Sequence, residues 1–159
     1  MEFLFCVCYY ALMGVLSFVA GRLIARHNFD YNAPPFRALP FEQDGQIYKR
    51  VGVASWQAKV PDMSRIFKKL MPPKKMDSRP DKETLRLMIQ ETCVAELVHA
   101  LLCVFGIAAF WIWPGWGGVI AWLLYCLLGN LPFIIIQRYN RPRLIKLLWL
   151  CQMREERRK

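Results

Sequence analysis

The sequence predicts an all-α membrane protein: three transmembrane helices, N-terminus outside and C-terminus inside, with basic amphipathic helices at the interface. Three observations carry this. The chain has 159 residues, 55% hydrophobic and 21% charged, too apolar for an ordinary soluble domain of that length. The apolar residues are concentrated in windows 3–20, 97–113 and 119–136, which hold 18, 17 and 18 residues without one Asp, Glu, Lys or Arg. At 1.5 Å rise each window reaches roughly 25–27 Å, enough to cross a bilayer with slight tilt or local thinning. The cations are also sorted: of the 22 Lys and Arg, 14 lie within 22–96 and eight within 137–159. Cations are costly to translocate and the inner leaflet is anionic, so these two stretches belong in the cytoplasm. A secreted disulfide scaffold, a disordered chain and a free soluble enzyme are excluded. The net charge of +10 is accounted for by topology and calls for no nucleic-acid partner.

Residues 1–25 are expected to be a signal-anchor helix. Glu2 precedes the apolar window and the cations Arg22 and Arg26 follow it, the reverse of a cleaved secretory leader. Residues 26–80 form a cytoplasmic and interfacial segment. Pro34, Pro35 and Pro40 prevent regular structure early in it, and Asp44-Gly45 is a turn signal for a small hairpin. Pro61-Asp62 offers a helix start, and Met63, Ile66, Phe67, Leu70 and Met71 recur at helical spacing with Arg65, Lys68 and Lys69 between them. This predicts a basic amphipathic helix over 62–71, suited to the headgroup layer.

Residues 81–141 are expected to form a helical hairpin carrying the spans 97–113 and 119–136. Asp81 starts the first arm, and no breaker follows until Trp113. In the second arm Pro132 cannot donate to the carbonyl of Leu128, which predicts a bend there that turns Asn130 toward the bundle interior. Pro142 then opens an interfacial basic tail, 142–159. Its apolar stretch 144–151 is too short to cross a membrane, and Arg154, Arg157, Arg158 and Lys159 can reach lipid phosphates.

Polar side chains gather where the spans meet the cytoplasm. Thr92, Glu96, His99 and Cys103 are spaced four, three and four apart and share one helix face, with Glu91 on an adjoining face. A short hairpin brings Gln137, Arg138, Tyr139, Asn140, Arg141 and Arg143 beside them. Such a pocket suits acyl transfer. His99 would take the proton from an attacking hydroxyl and Glu96 would orient it, with Glu91 as an alternative partner or a holder of substrate hydroxyls. Arg138, Arg141 or Arg143 could hold phosphates of coenzyme A or a phosphopantetheine arm, and Asn130 or Asn140 could donate to an oxyanion. The same residues also suit a plain interfacial ion pair and positive-inside anchoring. The six cysteines include no C-x-x-C pair and no metal-ligand spacing, so no metal site is expected.

Glu91-Thr-Cys-Val-Ala-Glu-Leu-Val-His99, the run Asn130-Leu-Pro-Phe-Ile-Ile-Ile-Gln-Arg-Tyr-Asn-Arg-Pro-Arg-Leu144, and Tyr48 with Trp56, Lys59 and Pro61-Asp62 upstream resemble the small membrane family that includes glycosyl-4,4'-diaponeurosporenoate acyltransferase. The resemblance covers about residues 40–144. Ala100 and Gln57 depart from its pattern, where an aromatic and a lysine are common, and both changes bear on the acceptor pocket. The resemblance implies an enzyme esterifying a fatty acyl chain onto a hydroxyl of a lipid-linked sugar, a glycosylated carotenoid acid, in a bacterial cytoplasmic membrane. It implies acyl-CoA or acyl carrier protein as donor and no tightly bound cofactor. Expected partners are membrane lipid, the glycosylated lipid acceptor, the acyl donor and a second copy in a homo-oligomer. Acylation of another glycolipid, or a non-catalytic adaptor for lipid-synthesis enzymes, are the alternatives.

Overall fold

Helices follow the charge-free windows and then overrun them. The computed structural model describes residues 1–60 and 80–157. The first helix, α1, spans Glu2–Leu23. After a helical turn at Arg26–Asn28 come a 3-10 segment at Pro40–Gly45 and the short helices α2 (Gln46–Arg50) and α3 (Val53–Trp56). The hairpin's first arm is α4 (Lys82–Phe105), a 3-10 turn at Gly106–Ala108 and α5 (Ala109–Ile112). Its second arm is α6 (Trp116–Leu124), a π-helical segment at Tyr125–Asn130 and α7 (Leu131–Glu156). Asp81 caps α4, accepting from the Thr84 N–H at 3.0 Å, as Asp at an N-cap should.

Among the described residues, three helical paths are long and apolar enough to cross a membrane: Glu2–Leu23, Lys82–Ile112 and Trp116–Glu156. The last two have 31 and 41 residues, roughly 45 and 60 Å at 1.5 Å per residue against a hydrocarbon core of about 30 Å. Both arms therefore extend well beyond the hydrocarbon, and their polar ends form a second, wetter storey.

That storey has its own small core. Leu85 and Ile89 of α4 pack with Leu144 and Leu148 of α7, flanked by Tyr31, Met88, Ile145 and Cys151. The buried positions are four apart on each helix, one stripe per partner. Lys82 pairs with Glu155 where the start of α4 meets the end of α7. On the apolar storey, α1 leaves Phe5, Leu12, Val15 and Leu16 outward, a surface matched to lipid. It meets the hairpin through Tyr9, whose hydroxyl donates to the Phe105 carbonyl at 2.8 Å, and through Phe3, edge-on to Trp113.

Several local expectations are corrected. Asp44-Gly45 reverses the chain but closes no β-hairpin. Gln43, Asp44 and Gly45 are all left-handed, at φ 48°, 52° and 86°, and the chain re-enters a helix. Two isolated short strands would have had no sheet to join, whereas α2 packs on α7. Gly45 is needed there both for its φ and because an added Cβ would meet the Tyr139 carbonyl at 3.5 Å. Pro142 does not open a separate tail: α7 runs straight through it. A helix-interior proline costs about 3 kcal/mol, which burial of Arg141, Leu144 and Leu148 against α4 offsets. Residues 144–151 thus use one face on the protein's own core and leave Leu147 and Trp149 exposed. The first arm is interrupted at Gly106, and the irregularity near Pro132 takes the form of the π segment just before it. The expected amphipathic helix over 62–71 lies outside the described residues.

Ile89, fully buried, is central to the lower core. Ile89→Ala is expected to destabilise the protein by about 2–5 kcal/mol, read as a lowered midpoint of thermal unfolding in detergent. Leu128→Ala, on an exposed side chain, should leave the midpoint unchanged.

Candidate functional site

Where the arms leave the apolar storey, α4 presents Thr92 and Glu96, and α7 presents Arg138 and Arg141. A third contributor comes from far away in sequence, Glu42 in the Pro40–Gly45 turn. Arg138 donates from Nε to Glu96 at 2.8 Å and from one terminal nitrogen to both Glu42 oxygens at 2.8 and 2.9 Å. Its other terminal nitrogen donates to the Pro35 carbonyl at 2.7 Å. Arg141 donates to Glu96 at 2.5 Å, to the Thr92 hydroxyl at 2.8 Å, to the Thr92 carbonyl at 3.1 Å and to the Phe36 carbonyl at 2.6 Å. Glu42, Glu96 and Arg141 are 2%, 6% and 3% exposed, so this is an alternating, charge-neutral chain removed from water.

Glu42 is held from every side. The Leu39 N–H donates to it at 2.5 Å, and the Tyr48 hydroxyl donates to its other oxygen. Burial alone would push its carboxyl up. The bonds from Tyr48, Arg138 and Leu39 outweigh that and hold it below the usual carboxylate range. Tyr48 moves the opposite way, pushed up by burial and by the carboxylate it donates to.

One turn further along α4, His99 has a different partner from the expected one. Its Nδ1 lies 2.9 Å from Oδ1 of Asn130, while Asn130 Nδ2 donates to the Tyr125 carbonyl at 3.0 Å. A carbonyl only accepts, so the amide must turn its NH2 to Tyr125 and its oxygen to the histidine. That oxygen also only accepts, so Nδ1 carries the proton and Nε2 is left with its lone pair. The ring is stacked on Phe133, with centroids 4.5 Å apart. Asn130 is 1% exposed; the π segment it ends delivers it inward.

Glu96 is therefore not the partner of His99. Two guanidinium groups offer it charge-assisted bonds, roughly twice as strong as a neutral one, and the imidazole takes the amide instead. Arg138 and Arg141, also expected to hold phosphates, each make four hydrogen bonds within the protein, and both border the groove that Arg143 lines. Glu91 is half-buried on α4, five residues before Glu96. Tyr139 is buried and supports Arg143, whose guanidinium lies 4.8 Å from its ring centre. Arg143 is exposed, and Asn140 donates to Gln57 at 3.3 Å. Gln137, Asn140, Arg143 and Lys146 line a groove of about 1110 Å³ with Tyr31 and Phe36, and His99 is not among its walls. The sequence reading missed Glu42, Phe133 and the Tyr125 carbonyl. Glu42, third after Leu39 behind Pro40, carried a faint capping signal; a backbone carbonyl carries none.

The fold and site define a small helical membrane protein in which a histidine oriented by an amide sits one turn from a neutralised ion network. The family model described as glycosyl-4,4'-diaponeurosporenoate acyltransferase matches residues 31–149, and the chain belongs to that family of acyltransferases. Proteins of that name from Staphylococcus aureus strains bovine RF122 / ET3-1 and USA300 are each 29% identical over 154 residues, covering 96% of this chain and 92% of theirs. The one from strain MRSA252 is 28% identical over 156 residues with the same coverage. No solved structure matches the chain.

The depressed Glu42 carboxyl fixes the sign of an acid effect. Its bonds contribute stability that is fully present above the ordinary glutamate value and is lost as pH falls through the lower folded value. The unfolding midpoint should therefore hold from neutral pH down to about pH 4.3, the ordinary glutamate value, and drop below it. Glu42→Gln should start lower and lose less over that interval; an equal loss would assign the acid sensitivity elsewhere.

Proposed function

We propose that this protein transfers a fatty acyl chain from a thioester donor, acyl-CoA or acyl carrier protein, to a sugar hydroxyl of a glycosylated carotenoid acid. The observation that carries the reading is the His99–Asn130 pair, which leaves Nε2 as the basic nitrogen. The acceptor hydroxyl gives its proton to Nε2 as its oxygen attacks the thioester carbonyl. The C–S bond then breaks, and the proton passes from Nε2 to the departing thiolate. Asn130 holds the ring in one tautomer through Nδ1, and its carbonyl stabilises the transient imidazolium. Phe133 keeps the ring plane fixed. The names of the relatives support a glycosyl-diaponeurosporenoate acceptor, whose polyene suits a site at the edge of the apolar storey.

The cation distribution supports an N-out, C-in topology in a bacterial cytoplasmic membrane, with the ion network on the cytoplasmic side where thioester donors are made. Arg143 and Lys146 are the cations left for donor phosphates along the groove. Arg143 was one of the three arginines expected in this role, and Lys146 joins it.

His99→Ala should lower acylated product by about 10²–10⁴ while leaving the protein in the membrane. Lipid extracts compared by mass would show the acceptor lighter by one fatty acyl unit. Unchanged product would remove the histidine from the mechanism and favour an adaptor. A second expectation concerns the donor. Arg143→Ala with Lys146→Ala should raise the donor KM about tenfold with little change in kcat. A fall in kcat at constant KM would place the phosphates elsewhere.

A further inference from the structure

We propose that Tyr10 of α1 is a positioning residue for His99, acting through Tyr125 and Asn130, so that the first helix is part of the active-site scaffold. This rests on the acyl-transfer reading of His99 and extends it to a helix outside the matched residues 31–149.

Three successive contacts join the two residues. The Tyr10 ring lies flat on that of Tyr125, centroids 3.9 Å apart and planes within 6°. Tyr125 opens the π segment, and its carbonyl receives Asn130 Nδ2 at 3.0 Å. Asn130 Oδ1 meets His99 Nδ1 at 2.9 Å. Tyr10 is itself fixed at its far end, where its hydroxyl donates to the Gly106 carbonyl at 3.3 Å, next to the bond from Tyr9 to Phe105. Both bonds fall where α4 gives way to the 3-10 turn. Tyr10 thus bridges the irregular point of one arm to the irregular point of the other.

The hairpin is shaped to receive that bridge. A Cβ on Gly106 would lie 3.1 Å from Tyr125 Cδ1 and 3.2 Å from Trp122 Cδ1, so an added methyl would push Tyr125 from the place where Tyr10 stacks on it. A π segment has poorer backbone geometry than an α-helix and persists where its surroundings favour it. Here the surroundings are an aromatic stack worth about 0.5–1.5 kcal/mol beyond its area. Without it, the segment can relax toward α-helix, moving the Tyr125 carbonyl and freeing the Asn130 amide to rotate. Rotation would offer NH2 instead of oxygen to the imidazole and select the other tautomer, with its lone pair on the wrong nitrogen.

The test uses the full chain in proteoliposomes with palmitoyl-coenzyme A and glycosyl-4,4'-diaponeurosporenoate. Tyr10→Leu should lower kcat about tenfold with both KM values held, Tyr10→Phe should keep at least about half of it, and Leu12→Ala, on the outward face, should match the parent. Parental kcat in Tyr10→Leu, a raised acceptor KM with kcat held, or an equal loss in Leu12→Ala would overturn the proposal. If Tyr10→Leu fails to accumulate, Gly106→Ala displaces Tyr125 from the neighbouring arm and should give the same split; parental kcat there would likewise overturn it. A readout independent of turnover is the ¹⁵N spectrum of His99, isolated by His27→Gln, since the chain has two histidines. The parent should show a single neutral Nδ1–H tautomer, and Tyr10→Leu a mixture; identical spectra would sink the relay. Product formation by His99→Ala would instead sink the catalytic reading, leaving the tautomer comparison to judge the positioning.

Discussion

Everything in the lower storey depends on Glu96 being shared between Arg138 and Arg141. An ionised carboxylate this well buried is tolerated only when paired and fully hydrogen-bonded. Once Arg138 also takes Glu42, and Tyr48 and the Leu39 N–H complete that second acid, two positive and two negative groups cancel. Leaving any one unpaired costs on the order of 3–5 kcal/mol, so the network closes as a unit. It fastens α4, α7 and the Pro40–Gly45 turn at one point, setting the antiparallel register of the arms. With Thr92 opposite Arg141 and Glu96 opposite Arg138, the next turn brings His99 against Phe133 and within reach of Asn130.

That register separates two tasks that the spacing along a single face of α4 combines. The charged residues pair with one another, and the histidine pairs with an amide. A histidine paired with a carboxylate would bring a full negative charge to the edge of the hydrocarbon. One paired with an amide adds only dipoles, which cost less there. The arginines inside the network have little left for a substrate phosphate. The cations available to anionic lipid or a donor are the ones at the surface, Arg143 and Lys146 among them.

The parts of this design legible in the sequence are those that one-dimensional rules govern. Charge-free windows found the three helices, Asp81 announced the start of α4, and spacing placed Glu96, His99, Arg138 and Arg141 in one neighbourhood. Spacing does not say who pairs with whom. Glu96 and His99 are adjacent on the helix, yet competition between a guanidinium and an imidazole for one carboxylate is settled across helices. Glu42 was overlooked because it arrives from a segment without periodicity, its capping position the one faint sign. Pro142 misled because a local breaking tendency was overruled by the buried stripe on either side of it.

The π segment is where fold and chemistry meet, and the bilayer explains why. In hydrocarbon every backbone polar group must find a partner within the protein, so a regular helix offers no carbonyl for recruiting a side chain. Widening the turn at Tyr125–Asn130 shifts the backbone bonds, and the Tyr125 carbonyl receives a side-chain amide. The irregularity is thus satisfied and orients Asn130 in the same contact. Regularising those six residues would leave the three spans intact and the ion network closed, and would remove the one feature that tells His99 which nitrogen to protonate.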